Sequence, residues 1–267
     1  MTALSPPPNR ASVGDWRAPR RAVMFTPVTA SWDEGASLRS AISPLIAAGY
    51  RVDIFDTLSM LRRGDGFHGL VDRWARYLAS GSTVPDLLAG NALGGALVQS
   101  LLEREWTHRA KVLLISGPTI ANEELNSKLE HVASIAAQGA KSLEEALDAL
   151  EEFVRGPLGT GTSRPRVPVG DAELAAWRIS TGLRLLRDID TSQAVRAFPG
   201  PLAHIYGEQS LLVQQQHVAI GRYSHHHELA VPLAGMRPHI DQPFTTQEVI
   251  TKFLGLTQVQ ERKAENS

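Results

Sequence analysis

Between Arg20 and Ile115, short apolar runs alternate with segments whose apolar residues recur every three to four positions. "RAVMFTPV" has the character of a buried strand. "EGASLRSAISPLIAAG" follows with Leu38, Ile42, Leu45 and Ile46 on one face, which predicts a helix that Pro44 bends. "YRVDIFD" is a second strand. "GFHGLVDRWARYLAS" predicts an amphipathic helix through Phe67, Val71, Trp74 and Leu78. "VPDLLAG" is a third strand, with a tight turn and a helix over Gly95 to Glu103 behind it. "AKVLLISGP" is a fourth strand. Strands alternating with helices predict right-handed crossovers and a mainly parallel sheet covered on both faces.

From Asn122 to about Phe198 the pattern is helical only. Leu125, Leu129, Val132 and Ile135 form one stripe. Ser142 with Glu145 reads as a capping box for the next helix. "GPLGTGTSRPRVPVG" reads as a Gly/Pro loop, and Asp171 as the N-cap of a helix carrying Leu174, Trp177, Leu183 and Leu186. The alternation then resumes with strands in "GPLAHIYG" and "HHELAVPLAG", and "TTQEVITKFLG" closes the chain as a helix. The predicted class is α/β, with about six strands. Residues 1–18 read as a flexible Pro-rich tail, 19–120 and 199–258 as a core, 121–198 as a helical cap, and 259–267 as a second tail.

Composition adds mostly exclusions. The 267 residues are 43% hydrophobic and 21% charged, with a net charge of −1 and no cysteine. No basic block offers the electrostatic footprint of a nucleic-acid binder. Lack of cysteine excludes disulfides, thiolate metal sites and a cysteine nucleophile, and a cytoplasmic setting is the easiest fit. No run predicts a membrane span. Arg20-Arg21 is followed by too short an apolar run to serve as an export signal.

The turn "LLAGNALGGAL" carries the chemical interest. Strand order, inserted helices and this turn resemble the α/β-hydrolase superfamily over about Arg21 to Gly255. In that family a G-x-S-x-G turn presents a serine Oγ at a helix N-terminus. Here the matching residues are Gly90, Asn91, Ala92, Leu93 and Gly94. The resemblance implies that the family's acid position, in the turn Gly207-Glu208-Gln209-Ser210, is Ser210. It implies that the base position in "GMRPHIDQP" is Met236, with Asp241 and Pro243 matching the family's trailing E-x-P and His239 off the catalytic register. A usual His-Gly of the oxyanion segment reads Thr26-Pro27. The resemblance therefore implies the fold without the Ser–His–Asp triad. Stripped triad, cap and size together resemble the bottromycin-type peptide epimerases, which invert an aspartyl centre in a ribosomally made peptide.

The predicted pocket lies at the carboxyl ends of the strands, under the cap, lined by Thr26, Val28, Asn91, Ala92, Leu93, Ser210 and Met236. Backbone N–H groups of Val28 and Leu93 are candidate donors to a carbonyl or enolate oxygen. Asp33 and Glu34 suit either a rim base or, more commonly, an N-cap. Asp56 suits a loop hydrogen-bonding role. "SHHHE" places His225 and His227 on one side of a strand and His226 on the other, poor spacing for a metal. His204 reads as a core histidine, and His68, His108 and His131 as surface groups. No metal or cofactor is expected. Three readings stay open: a non-hydrolytic isomerase acting on a peptide or natural-product intermediate, a ligand- or peptide-binding pseudoenzyme, and an atypical hydrolase using water and Glu208. The expected partner is a peptide or small molecule between core and cap, with no nucleic acid or membrane; homo-oligomer formation is left open.

Overall fold

A computed structural model describes residues 7–81, 84–157 and 170–256. In chain order the elements are β1 (Arg10–Val13), β2 (Arg20–Phe25), α1 (Arg39–Ala47), β3 (Tyr50–Phe55), α2 (Phe67–Ala79), β4 (Leu87–Asn91), α3 (Leu93–Leu101), β5 (Lys111–Ile115), α4 (Glu123–Ala136), α5 (Leu143–Arg155), α6 (Ala172–Arg184), α7 (Ser192–Ala197), β6 (Leu202–Gly207), β7 (His226–Val231), α8 (Pro238–Asp241) and α9 (Pro243–Leu254). They build a seven-stranded sheet in the order β1-β3-β2-β4-β5-β6-β7, all parallel except β1. This is an α/β-hydrolase fold. Strand alternation divides the core into two layers. Val23 and Phe25 of β2 face α2 and α3, where Trp74 packs edge-on against Phe25 and Phe55 with ring centroids 4.8 and 5.2 Å apart. Ala22 and Met24 face α1 and α9.

The N-terminal region corrects the sequence reading. Residues 10–13 are not a tail but an edge strand, paired antiparallel with Val52–Phe55. Only alternate side chains of "RASV" are half-buried, so its four residues carry no apolar signal. Polar contacts hold it instead: Ser12 Oγ donates to Asp53 at 2.6 Å, and Asn9 to Asp56 at 3.2 Å. The sheet thus has seven strands where about six were expected. Helix α3 starts at Leu93, two residues before the predicted start. The capping box at Ser142 does not form; its hydroxyl turns to Gln138, 3.3 Å away. Asp171 does cap α6, accepting from Leu174 N at 3.0 Å. Most of the predicted Gly/Pro loop, and the 259–267 tail, lie outside the described residues.

Between β5 and β6 the described residues form the helices α4 to α7, and α4, α5 and α6 pack on one another above the sheet. Two buried polar links bind them to it. Arg178 of α6 forms a two-bond pair with Asp56 at the end of β3, at 2.8 and 2.9 Å, and donates from Nε to Thr29 O at 2.9 Å. Gln99 of α3 donates to Gly117 O and Pro118 O and accepts from Thr119 and Thr191 hydroxyls. Asp56 and Arg178 side chains are 0% and 9% exposed, so each charge depends on the other for the hydration it has lost. Replacing Arg178 by Met should cost about 3–5 kcal/mol in urea unfolding, because it leaves a buried carboxylate unpaired. Adding Asp56→Leu should recover part of that loss. A single-variant loss under about 1 kcal/mol would show that the pair does not anchor the insertion.

Candidate functional site

Where β4 meets α3, two backbones come too close for side chains. A Cβ on Gly94 would lie 2.6 Å from Phe25 C and closer to its oxygen; one on Gly90 would lie 2.6 Å from Gly95 N. Hence the glycines on either side of the turn. Ala92 between them sits at φ 48°, ψ −113°, a conformation that costs a residue with a Cβ about 1–3 kcal/mol. The neighbouring strand fixes it: Ala92 N donates to Ile115 O at 3.0 Å.

The turn is part of the wall of a cavity of about 1370 Å³ between the sheet and the inserted helices. That exceeds the ~300–1,000 Å³ usual for small-ligand sites. Its upper wall is aliphatic, with Leu125 and Leu129 from α4, Leu147 and Leu150 from α5, and Ile179 and Leu183 from α6. Of the predicted lining, Val28, Asn91, Ala92 and Met236 face the cavity. Thr26, Leu93 and Ser210 do not. Thr26 lies beneath the floor, where its carbonyl accepts from Thr57 Oγ1 at 2.6 Å. Leu93 points into the α3 core and is fully buried. Ser210 sits behind Met236, its Oγ 3.6 Å from Sδ and accepting from Leu212 N at 3.3 Å. Ala92 and Met236 therefore share one cavity, and Ser210 touches Met236 from the rear. Neither Val28 N nor Leu93 N donates a hydrogen bond within the described structure. Leu93 N is among the first amides of α3, the end where a helix attracts negative charge.

The wall also carries charged and polar groups that the sequence reading did not bring together: Ser31, Asp33, Glu151, Arg237 and His239. Asp33 is a cap, its two oxygens accepting from Gly35 N at 2.9 Å and Ser37 N at 3.0 Å. Glu34 stands beside it at φ 56°. Glu151 Oε1 accepts from both Arg155 Nε, at 3.0 Å, and Arg237 Nη2, at 2.8 Å. Asp241 accepts from Gly235 N at 2.9 Å and so holds the loop bearing Met236; burial raises its pKa. His239 is 2% exposed, and its Nδ1 has no partner. Burial, aided by the Arg237 charge, pushes its pKa down to about 4, so the ring is neutral at pH 7. A single helical turn, α8, carries it onto the wall three residues after Met236. The signal lay in the cluster "GMRPHID", which register with the family's base position passes over.

Of the remaining histidines, His204, His225 and His226 have structural settings. His204 on β6 is fully buried with its ring against the Gly117 and Ala219 backbones, and burial lowers its pKa to about 4. Both nitrogens of His226 are engaged, with Gly221 N at 2.9 Å and Gly200 O at 3.0 Å, while His225 meets Pro199 O at 2.9 Å and His227 is exposed. Among the described residues no group of three or more His, Asp or Glu side chains could hold a metal ion, and no helix is long and apolar enough to cross a membrane.

No protein-family model matches the chain, and no curated protein matches it. Solved structures do resemble it. A bromoperoxidase from Bacillus anthracis has TM-score 0.71 at 16% identity, over 92% of this chain and 94% of that one. An α/β hydrolase enzyme from a Medee basin deep-sea metagenome library has TM-score 0.75 at 12% identity, over 92% and 94%. A thermophilic esterase from Thermogutta terrifontis has TM-score 0.64 at 16% identity, over 92% of each chain. At such identities the likeness is one of fold.

Two stability measurements follow from this geometry. Gly94→Ala should cost more than about 3 kcal/mol or prevent folding, since its methyl must displace the Phe25 backbone. Ala92→Gly should be neutral or stabilising by up to about 2 kcal/mol, because it relieves the positive φ. The reverse ranking in urea midpoints would contradict the strained turn. Acid should also weaken the protein. The unfolded chain protonates a histidine near 6.5 whereas folded His204 and His239 resist until about 4. Their contribution is therefore present above 6.5 and falls as pH drops towards 4, by about 2 kcal/mol each at pH 5. His204→Leu should flatten the difference between urea midpoints at pH 7 and pH 5; an unchanged difference would contradict the assignment.

Proposed function

We propose that this chain is a non-hydrolytic enzyme on an α/β-hydrolase scaffold, working without a Ser–His–Asp triad. In this reading residues 121–198 act as a cap over the core formed by 19–120 and 199–258. A peptide or natural-product intermediate binds beneath the cap and undergoes acid–base isomerisation, such as epimerisation α to a carbonyl, in peptide natural-product biosynthesis. The observation that carries the reading is Ala92: the strained turn keeps its geometry, yet the residue it presents to the cavity has no nucleophilic atom. Met236 supports it, since a thioether on the same cavity wall can neither activate water nor orient a base.

The proposed chemistry needs no covalent bond to the protein. A base takes the α-proton, the electron pair spreads onto the carbonyl oxygen as an enolate, and a proton returns to the opposite face. The free N–H groups of Val28 and Leu93 suit an enolate oxygen as well as they would suit a tetrahedral intermediate. The aliphatic wall lowers the local dielectric and so strengthens that stabilisation. Asp33, Glu144, Glu151 and His239 are the wall groups able to accept a proton, alongside the substrate's own.

Candidate aspartyl peptides incubated with the protein in heavy water should gain one solvent deuterium at an α-carbon. Tight binding without exchange would make the chain a binding module instead. A p-nitrophenyl ester should be hydrolysed at the background rate by the wild type and by Ala92→Ser, which restores a hydroxyl but no base. Rapid, saturable turnover by the wild type would overturn the reading in favour of a hydrolase.

A further inference from the structure

The cavity's hydrogen-bonding groups are unevenly used. Two of its carboxylates are engaged: both oxygens of Asp33 cap backbone amides, and Glu151 Oε1 is shared by two guanidiniums. Its donors are left over. Arg237 meets Glu151 through Nη2 alone, end-on, and its Nε is buried without a partner. Ser31 Oγ is likewise buried and unpartnered on the same wall. His239 Nδ1 is unpartnered too, but as an acceptor, because the neutral ring's one N–H is engaged by the Ser37 backbone. A buried polar group left unpaired costs on the order of 1–3 kcal/mol, and three on one wall call for an explanation. The explanation that suits the Arg237 and Ser31 donors is an acceptor brought in from outside. A guanidinium held at one nitrogen by Glu151 still has donors for a second carboxylate, which pairs with it more strongly than a neutral carbonyl does. Arg155 and Arg237 share Glu151, and Asp241 is also within electrostatic reach of Arg237, so a ligand carboxylate competes with these acids for the guanidinium. Facing it from the inserted helices, Leu125, Leu129, Leu147, Leu150, Ile179 and Leu183 offer aliphatic surface.

We propose that Arg237 forms a polar pole which receives a carboxylate carried on an otherwise apolar ligand. The substrate class is thus an apolar chain or peptide with one anionic group. Arg237 pairs with the carboxylate and the aliphatic helices cover the body. Glu151 competes for Arg237 and sets how strongly the pole attracts the ligand. The inference rests on the cavity being the ligand site proposed above, but not on the isomerisation.

Calorimetric titration with decanoate and decanamide, two probes of matched apolar length, tests it. Decanoate should bind the wild type one-to-one and at least tenfold more tightly than decanamide. Arg237→Gln should weaken decanoate at least tenfold and leave decanamide unchanged, which also shows that the variant is folded. Arg237→Lys should fall between the two. Glu151→Gln should tighten decanoate severalfold. Equal binding of both probes to the wild type, or a decanoate affinity unmoved by Arg237→Gln, would overturn the pole and leave the cavity as the ligand site. Binding of neither probe would overturn both.

Discussion

One steric constraint governs this molecule: the backbone of α3 must pass against the end of β2 with no Cβ in between. Gly94 meets the Phe25 carbonyl and Gly90 meets the first turn of α3. That contact sets where β4 ends and where the helix begins, and it forces Ala92 into its positive-φ bend. It also leaves the first amides of α3 unpaired at the cavity floor. The chain bears the cost of this strain even though the residue at its apex is alanine. Strain of this kind persists where the surroundings over-determine it, and here the β5 carbonyl of Ile115 and the two glycines do so. A site that needed no floor at this place would be free to relax it.

The inserted helices roof that floor and leave it partly open to solvent. Arg178 reaches from α6 to Asp56 and to the Thr29 carbonyl, so it fixes both the end of β3 and the loop that brings Val28 to the cavity. Gly182, one turn further along α6, lies directly on the Val28 side chain; a Cβ there would come within 2.9 Å of its methyls. Helix and loop thus share one position. The result is a large aliphatic chamber whose polarity is confined to the loops after β2 and β7, together with the acidic edge of α5. Such a chamber desolvates its contents, which magnifies every hydrogen bond and charge that remains inside.

Much of this was legible in the residues. The order of apolar runs revealed the parallel sheet and the helical insertion, because buried parallel strands are nearly continuous in hydrophobicity. The G-N-A-L-G turn revealed its own close packing. What escaped were features that depend on residues far apart. Strand β1 is held by Ser12 and Asn9 reaching to Asp53 and Asp56, and four residues with two polar side chains carry no strand signal. Ser210 and Leu93 share a neighbourhood with the cavity but point away from it, which spacing alone does not tell. Arg237 and His239 were hidden for the opposite reason: comparison with a catalytic pattern draws attention to Met236, while the turn of α8 swings the next charged residues onto the wall.

The central claim is that nothing on this cavity wall serves as an acyl-accepting nucleophile, and a covalent probe asks that question most directly. After prolonged incubation with a fluorophosphonate, intact-mass measurement should show the protein at its unmodified mass, with or without Ala92→Ser. A stoichiometric adduct on the wild type, mapped by peptide sequencing to Ser31 or Ser37, would reveal a serine activated by His239 and would contradict the account.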